Sequence, residues 1–277
     1  MYCGKLKKEN RFNLRSIVFV ILGLQAFLLI GCYEQQEGCL DPNAVNFDPS
    51  ADLNTDCKYP SLNLTFDANG PERGFSYDSV FYDSEGIPYE IVYAGIYVQA
   101  FEIEVDGSFQ QLSGIEHSVV QSEGAEISYA EDVSLLEPRT FTNTIDSIIQ
   151  FEAFESVRTK IGLGELGKID TAQIPERSVL SSSELMQHEL GIYDYMLIVD
   201  LDTSANRDMD TISGSLSSPQ IIDLSVQGII EPATNIDWIV EVYYDQWLSD
   251  FNLNDDIATK KAKLESGFSD LISLVVP

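Results

Sequence analysis

From residue 61 onward, apolar residues fall at alternate positions more often than at helical spacing. Leu62, Leu64 and Phe66 alternate with Asn63, Thr65 and Asp67, and Phe101, Ile103 and Val105 alternate with Glu102, Glu104 and Asp106. A period of two puts each set on one face of a strand. Asp106-Gly107 then leads into Ser108-Phe109-Gln110, a dipeptide suited to a tight hairpin. Further strands are predicted over 145–157, 195–201, 221–226 and 236–244, and in the last of these Trp238, Val240, Val242 and Tyr244 share a face. Breaks rich in Pro, Gly and Ser separate them, with no βα alternation. The pattern predicts a mainly β chain, an antiparallel β-sandwich. Helical spacing occurs twice. One short candidate covers 182–189; a longer one covers 255–274, where Ile257, Leu264, Phe268, Leu271 and Ile272 fall near one face and Lys260, Lys261 and Lys263 near the middle. This C-terminal helix is expected to pack on the sandwich.

The first 31 residues follow another pattern. Lys5, Lys7, Lys8, Arg11 and Arg15 stand against a single acid, Glu9, before an apolar run over 17–30 that ends in Leu29-Ile30-Gly31-Cys32. That order describes a secretory signal, and the run is too short for a comfortable transmembrane helix of ~20 apolar residues. The "LIGC" ending resembles the bacterial lipobox, which implies cleavage before Cys32 and lipidation of its thiol. A plain signal anchor is the alternative. Acyl chains would hold the protein on a membrane at ~0.8 kcal/mol per buried methylene. Tyr33, rather than Asp, follows the cysteine and by resemblance to sorting rules points to the outer membrane of a Gram-negative, Bacteroidota-like cell envelope. The chain thus divides into a lipoprotein signal peptide (1–31), an acidic tether (32–60) and one sandwich domain (61–277).

Charge narrows the partners. The whole chain carries −29; without 1–31, Lys plus Arg falls from 16 to 11 and Asp plus Glu from 45 to 44, leaving −33. Such a surface repels phosphate backbones, so no nucleic-acid partner is expected. It is a solvated face that gathers divalent cations diffusely.

Between membrane and domain lies "GCLDPNAVNFDPSADLNTDCKYP", residues 38–60. With Cys3 removed and Cys32 lipidated, Cys39 and Cys57 remain in an oxidising compartment and most simply pair. The closure is worth ~3 kcal/mol by chain entropy. The seven Asp and Asn residues from Asp41 to Asp56 also suit Ca²⁺, which takes 6–8 oxygens. The segment resembles a short module of secreted Bacteroidota proteins, with a "C-x-D-P-x-A-x-N-Y-D-P-x-A" core closed by a second cysteine. Its usual acidic-glycine run is here Asn54-Thr55-Asp56. A disulfide-closed spacer and a calcium loop both stand.

Catalytic motifs are few. "GLGELG" at 162–167 matches the dinucleotide fingerprint in letters, but no helical pattern follows and Glu165 would face a pyrophosphate, so a looped turn is expected. No G-x-S-x-G and no H-E-x-x-H occur, and His117 and His188 are the only histidines. No enzyme activity is expected. "DLDTSANRDMD" at 200–210 places oxygens at alternate positions, with Asp200, Asp202 and Asp208 the calcium candidates, although an EF-hand would need Gly at 205 and Glu at 211. Met186 and His188, with His117 brought close by folding, are candidate copper donors, since thioether and imidazole suit that metal.

These pieces run in an order that resembles the MbnP-like family of extracytoplasmic β-sandwich proteins, named for a copper-binding member of methanobactin clusters. The stretches are "LTFDANG", "DSVFYDSEGIPYEIVYAGIYVQAFEI", "VRTKIGLGEL" and "ELMQHELGIYDYMLIVDLD". Tyr82, Gly86, Tyr89, Tyr97, Gly162, Met186, Tyr195 and Leu197 fit its pattern over roughly 61–275. His188 and Leu190 stand where the family places tryptophans, and Asp194 where it places a glycine. The resemblance implies a sandwich lipoprotein with copper as its metal. Calcium, a metal-free surface interaction or adhesion module, and an uncharacterised hydrolase are the other readings.

Overall fold

The computed structural model describes residues 34–71, 74–112, 116–121, 124–130, 132–145, 153–174, 178–181, 183–201, 209–229 and 233–276. The expected signal peptide (1–31), the expected lipidation site Cys32, and Asp202 and Asp208 lie outside these residues.

Two sheets face each other across one apolar core. The first has the order β3-β1-β8-β9, from β1 (Leu62–Asn69), β3 (Phe141–Ile145), β8 (Ile236–Tyr243) and β9 (Ile272–Val275). The second has the order β6-β5-β2-β4-β7, from β2 (Pro88–Val105), β4 (Ser156–Ile161), β5 (Tyr195–Asp200), β6 (Met209–Gly214) and β7 (Gln220–Asp223). Short strands Val80–Tyr82, Ser108–Gln111 and Ser134–Leu136 also pair with β2. The alternation read from the sequence is what builds the interface. Leu62, Leu64 and Phe66 of β1 and Trp238, Val240 and Val242 of β8 are buried, while their neighbours are not. Each such large apolar side chain contributes ~1.5–3 kcal/mol.

The fold is the mainly β sandwich the pattern predicts, with one pairing that alternation cannot reveal. β1 and β8 run parallel, Leu62 opposite Ile236 through Asn69 opposite Tyr243. Parallel neighbours need a crossover connection, and here everything from 70 to 235 is that connection. Closing so long a loop costs on the order of 5 kcal/mol in chain entropy, offset by the Trp238, Phe66 and Val240 packing at the seam.

β2 is eighteen residues long and serves both ends of its sheet. Its first half pairs with β5; its second pairs with β4 and with Ser108–Gln111 through the expected Asp106-Gly107 turn, where both residues take positive φ (51° and 73°). Between the halves Ala100 adopts φ 55° and the register with β4 slips at Arg158/Lys160. The bulge frees a backbone donor, and the wholly buried Asp132 accepts it: Phe101 N–H to Oδ2 at 2.8 Å. Burial pushes the Asp132 pKa up to about 6, against the pull of the Phe101 and Ala100 N–H groups.

The run from Tyr93 to Val98 is buried at almost every position, because the second sheet is covered on both faces. On the far side a smaller core gathers Tyr93, Tyr97, Leu135, Leu166, Met186 and Met196 under a hairpin of Glu116–Val120 and Glu126–Ala130 and a set of 3₁₀ turns.

Several boundaries differ from the predicted ones. Of the predicted 145–157 strand, Ile145, Ala153–Phe154 and the residues of β4 are strand with a bend at Glu155 between them, and residues 146–152 lie outside the described set. Over 182–189 the chain forms no α-helix but a 3₁₀ turn, Glu184–Met186, and a bridge from Gln187–His188 to Gly191–Ile192. Eight residues do not repay helix nucleation. The C-terminal helix α1 covers Ile257–Ser266 only, capped by Asp256 accepting the Ala258 and Thr259 N–H groups. Past Gly267 the apolar residues change period, and Ile272 and Leu274 join β8 as a strand because its edge offers backbone partners. Nor is Lys260 on an open face. It is buried and ion-paired with Asp210 of β6, which clamps α1 onto the second sheet.

The Asp132 plug predicts a measurable pH slope. With a folded pKa near 6 and an unfolded value of ~3.9, the folded state holds the extra proton between them. Its contribution therefore falls as pH rises from about 4 to about 6 and stays low above. In urea denaturation, Asp132→Asn should improve relative to wild type by about 2 kcal/mol between pH 4 and pH 7. Parallel profiles for the two proteins would exclude a titrating plug.

Candidate functional site

The disulfide joins Cys39 to Cys57 with Cα atoms 4.8 Å apart. Inside it the carboxylates of Asp41, Asp48 and Asp52 are engaged by protein donors. Asp41 accepts from Asn43 N–H and Tyr59 O–H, both at 3.0 Å; Asp48 accepts from Ser50 N–H (2.9 Å) and Gln36 Nε2 (3.1 Å). Asn46 accepts the Lys58 N–H at 2.8 Å. Hydrogen bonds from the Ser50 hydroxyl and N–H hold Asp48 below the usual carboxylate range. The segment is braced by its own side chains.

The copper candidates have three different surroundings. Met186 is fully buried, its sulfur packed over Gly95 of β2 in the smaller core. His188 is half-buried on the following bridge, its ring tilted 33° against Tyr193 with centroids 4.4 Å apart, its Nδ1 accepting the Leu190 N–H at 3.3 Å. His117 is exposed on the Glu116–Val120 strand against Tyr129. Of the calcium candidates, Asp200 ends β5, mostly buried, opposite Glu90 and Met209. Among the described residues no group of three or more His, Cys, Asp or Glu gathers to hold a metal.

What the fold does assemble is a groove. Its lining comes from four remote stretches: Gln99 on β2, Gln111 after the tight turn, Glu116, Ile127, Ser128 and Tyr129 on the hairpin, and Leu163, Glu165 and Leu166 on the glycine loop, enclosing about 450 Å³. The loop is the looped turn expected from "GLGELG". Gly162 takes φ 94°, which a side chain would strain, and a 3₁₀ turn follows over Gly164–Lys168.

Asp194 fixes that loop. Its Oδ1 accepts the Leu163 N–H and its Oδ2 the Leu216 N–H, each at 2.5 Å. Burial raises its pKa, partly countered by those two donors. A glycine at this position could make neither bond. On the other wall Gln121 Nε2 donates to the Glu165 carbonyl at 3.1 Å, and the Asp170 N–H donates to the Val120 carbonyl at 3.2 Å, so hairpin and loop are tied together. Gln99 donates to the Gly162 carbonyl at 2.7 Å.

The groove is polar without being cationic. Two amides, a phenol, a hydroxyl and the carboxylates of Glu116 and Glu165 face it, and among the described residues no Lys or Arg lines it. Lys168, close by, is paired with Glu165 at 2.7 Å, and this with a Gln121 contact keeps Glu165 ionised below its usual range. The Asp106-Gly107 turn and the glycine loop are legible in the sequence, but the Glu116–Ala130 hairpin is not, and Asp194 and Gln121, which seat the loop and tie it to that hairpin, carry no local signature.

No family model matches this chain, and no curated protein matches it. Among solved structures, MbnP from Methylosinus trichosporium is similar at 11% identity and a TM-score of 0.43, over 69% of this chain and 78% of that one.

With its sulfur sealed in the smaller core, Met186 should matter for packing and not for metal uptake. Met186→Leu should leave copper stoichiometry in equilibrium dialysis unchanged and cost under ~1.5 kcal/mol. Loss of bound copper in that variant, with the fold intact, would restore the thioether as a ligand.

Proposed function

We propose that this chain is a lipid-anchored, extracytoplasmic binding protein of the bacterial envelope, working as an interaction module rather than as an enzyme. The observation that carries the reading is the groove between hairpin and glycine loop. Its walls are held by buried carboxylate-to-backbone bonds, and its surface offers amides, hydroxyls and carboxylates. Preformed concavities of this size, with a few fixed polar groups, suit small ligands.

The ligand class follows from the lining. A groove with carboxylates and no cation disfavours anions. Planar amides and carboxylates can each take two neighbouring hydroxyls, and the Tyr129 ring offers an apolar face. A neutral, polyhydroxylated ligand such as a saccharide meets all three conditions. The basic and apolar N-terminus, the Cys32 context and the disulfide-closed neck support envelope placement on the membrane side of the sandwich.

Two measurements test this. Saturation-transfer NMR with a panel of neutral disaccharides should show transfer to at least one, and Ser128→Trp, which fills the groove mouth from an exposed position, should abolish it without shifting Tm. Silence across the panel would reject the saccharide reading. For the anchor, Cys32→Ser should prevent incorporation of a fatty-acid analogue and leave an unprocessed precursor; normal labelling would end that claim.

A further inference from the structure

A second cavity, unrelated to the groove, encloses about 330 Å³ and is lined by Pro71, Phe81, Tyr82, Tyr89, Asp245 and Leu248. Three elements build it: the short strand Val80–Tyr82, the start of β2, and the helical turn Tyr244–Trp247 that follows β8. Its volume sits at the small end of ligand pockets, which run from roughly 300 to 1,000 Å³.

Two polar atoms of its lining residues are buried without partners: the Tyr89 hydroxyl and Oδ1 of Asp245. Native proteins rarely leave such groups unpaired, and an unfilled site is one physical reason they do. Tyr89 is 1% exposed, its ring stacked on Phe81 and edge-on to Phe251. The neighbouring Asp83 does not serve it. That carboxylate already accepts the N–H groups of Glu85 (2.9 Å), Ile87 (2.8 Å) and Leu253 (3.1 Å). Burial and the Asp83 charge keep the Tyr89 phenol protonated, hence a donor in waiting.

Among the described residues Asp245 has no cationic partner. Among the described residues the ion pairs join other carboxylates: Glu102 with Arg158 and Lys160, Glu137 with Arg139, Glu165 with Lys168, Asp210 with Lys260, and Asp255 with Lys263. A carboxylate in a small recess with aromatic and aliphatic walls is complementary to an ammonium with an apolar body. The N–H groups would go to the acid, the carbon skeleton to Phe81, Tyr82 and Leu248, and the positive charge close to aromatic faces that attract it. The strongly acidic chain, at −29, concentrates cations near the mouth.

We propose that this cavity is a binding site for a small protonated amine carried on an apolar body, with Asp245 as its charge partner and Tyr89 as a second polar contact. The site stands independently of the saccharide groove.

Phenethylammonium is a suitable probe, with 2-phenylethanol as its neutral counterpart, titrated into the full chain in detergent and followed by calorimetry. The expected result is saturable, roughly 1:1 binding at millimolar or lower concentration, at least about tenfold tighter for the ammonium than for the alcohol. Asp245→Asn should remove that preference. Tyr89→Phe should weaken binding several-fold with unchanged Tm, since the lost hydroxyl has no partner in the fold. Asp270→Asn, an exposed acid elsewhere, should change nothing. Absence of saturation, equal binding of the alcohol, or equal losses from Asp270→Asn and Asp245→Asn would overturn the site. Nα-acetyl-lysine amide separates a free amine from a partner's lysyl side chain; binding of that compound alone would overturn the small-molecule assignment. Should Asp245→Asn not fold, the Tyr89→Phe arm and the ammonium-to-alcohol ratio still decide.

Discussion

A single carboxylate, Asp132, set against the middle of a long strand shapes this domain. β2 must turn part-way along its length so that one half can meet β5 and the other β4. A strand can do so only by breaking its own ladder, and a broken ladder leaves an N–H stranded inside the protein. Asp132 resolves the conflict by accepting the Phe101 N–H from below. Without it the bend at Ala100 would bury an unpaired donor, at a cost of ~1–3 kcal/mol, and the two halves of the sheet would lose their common axis. Downstream geometry inherits this bend: Gln99, just before it, and Gln111, after the following turn, are thereby brought to the same groove.

The remaining structure shows the same division of labour, apolar residues supplying cohesion and isolated acids supplying placement. Asp194 ties the glycine loop to the end of β6, and Asp83 ties the turn after Val80–Tyr82 to residue 253. Lys260 and Asp210 join α1 to the sheet, and the Tyr195 hydroxyl donates to Glu265 at 2.8 Å alongside them. In a chain this acidic, the surface carboxylates are unremarkable. The informative ones are buried and bonded to backbone.

That division explains what could be read in advance. Wherever one face of a strand meets the core and the other meets solvent, as in β1 and β8, residue type alternates and the element was legible. The Asp106-Gly107 turn and the Cys39–Cys57 closure were legible for equally local reasons. The parallel seating of β1 on β8 was not, since alternation records faces and not directions. Tyr93 to Val98 hid its strand character because a third layer covers its outer face. The helix was read too long because Ile272 and Leu274 satisfy helical spacing as well as a strand's. Of the candidate site, the turn and the glycine loop are legible singly, and the Glu116–Ala130 hairpin is not. The loop is seated by Asp194 and tied to that hairpin by Gln121, whose partners lie tens of residues away.

The parallel seam has a consequence for load. The neck enters the domain at Ser61, whose carbonyl accepts the Ile236 N–H at 2.9 Å, and continues directly into β1. β1 is an inner strand, with β3 bonded along one edge and β8 along the other. A pull arriving along the neck therefore acts along the strand axis, and both rows of backbone bonds resist together in shear. A hairpin at the same place would open like a zipper, one pair at a time. Tension on this protein from its amino-terminal side is met, within the sandwich, by a strand bonded along both of its edges.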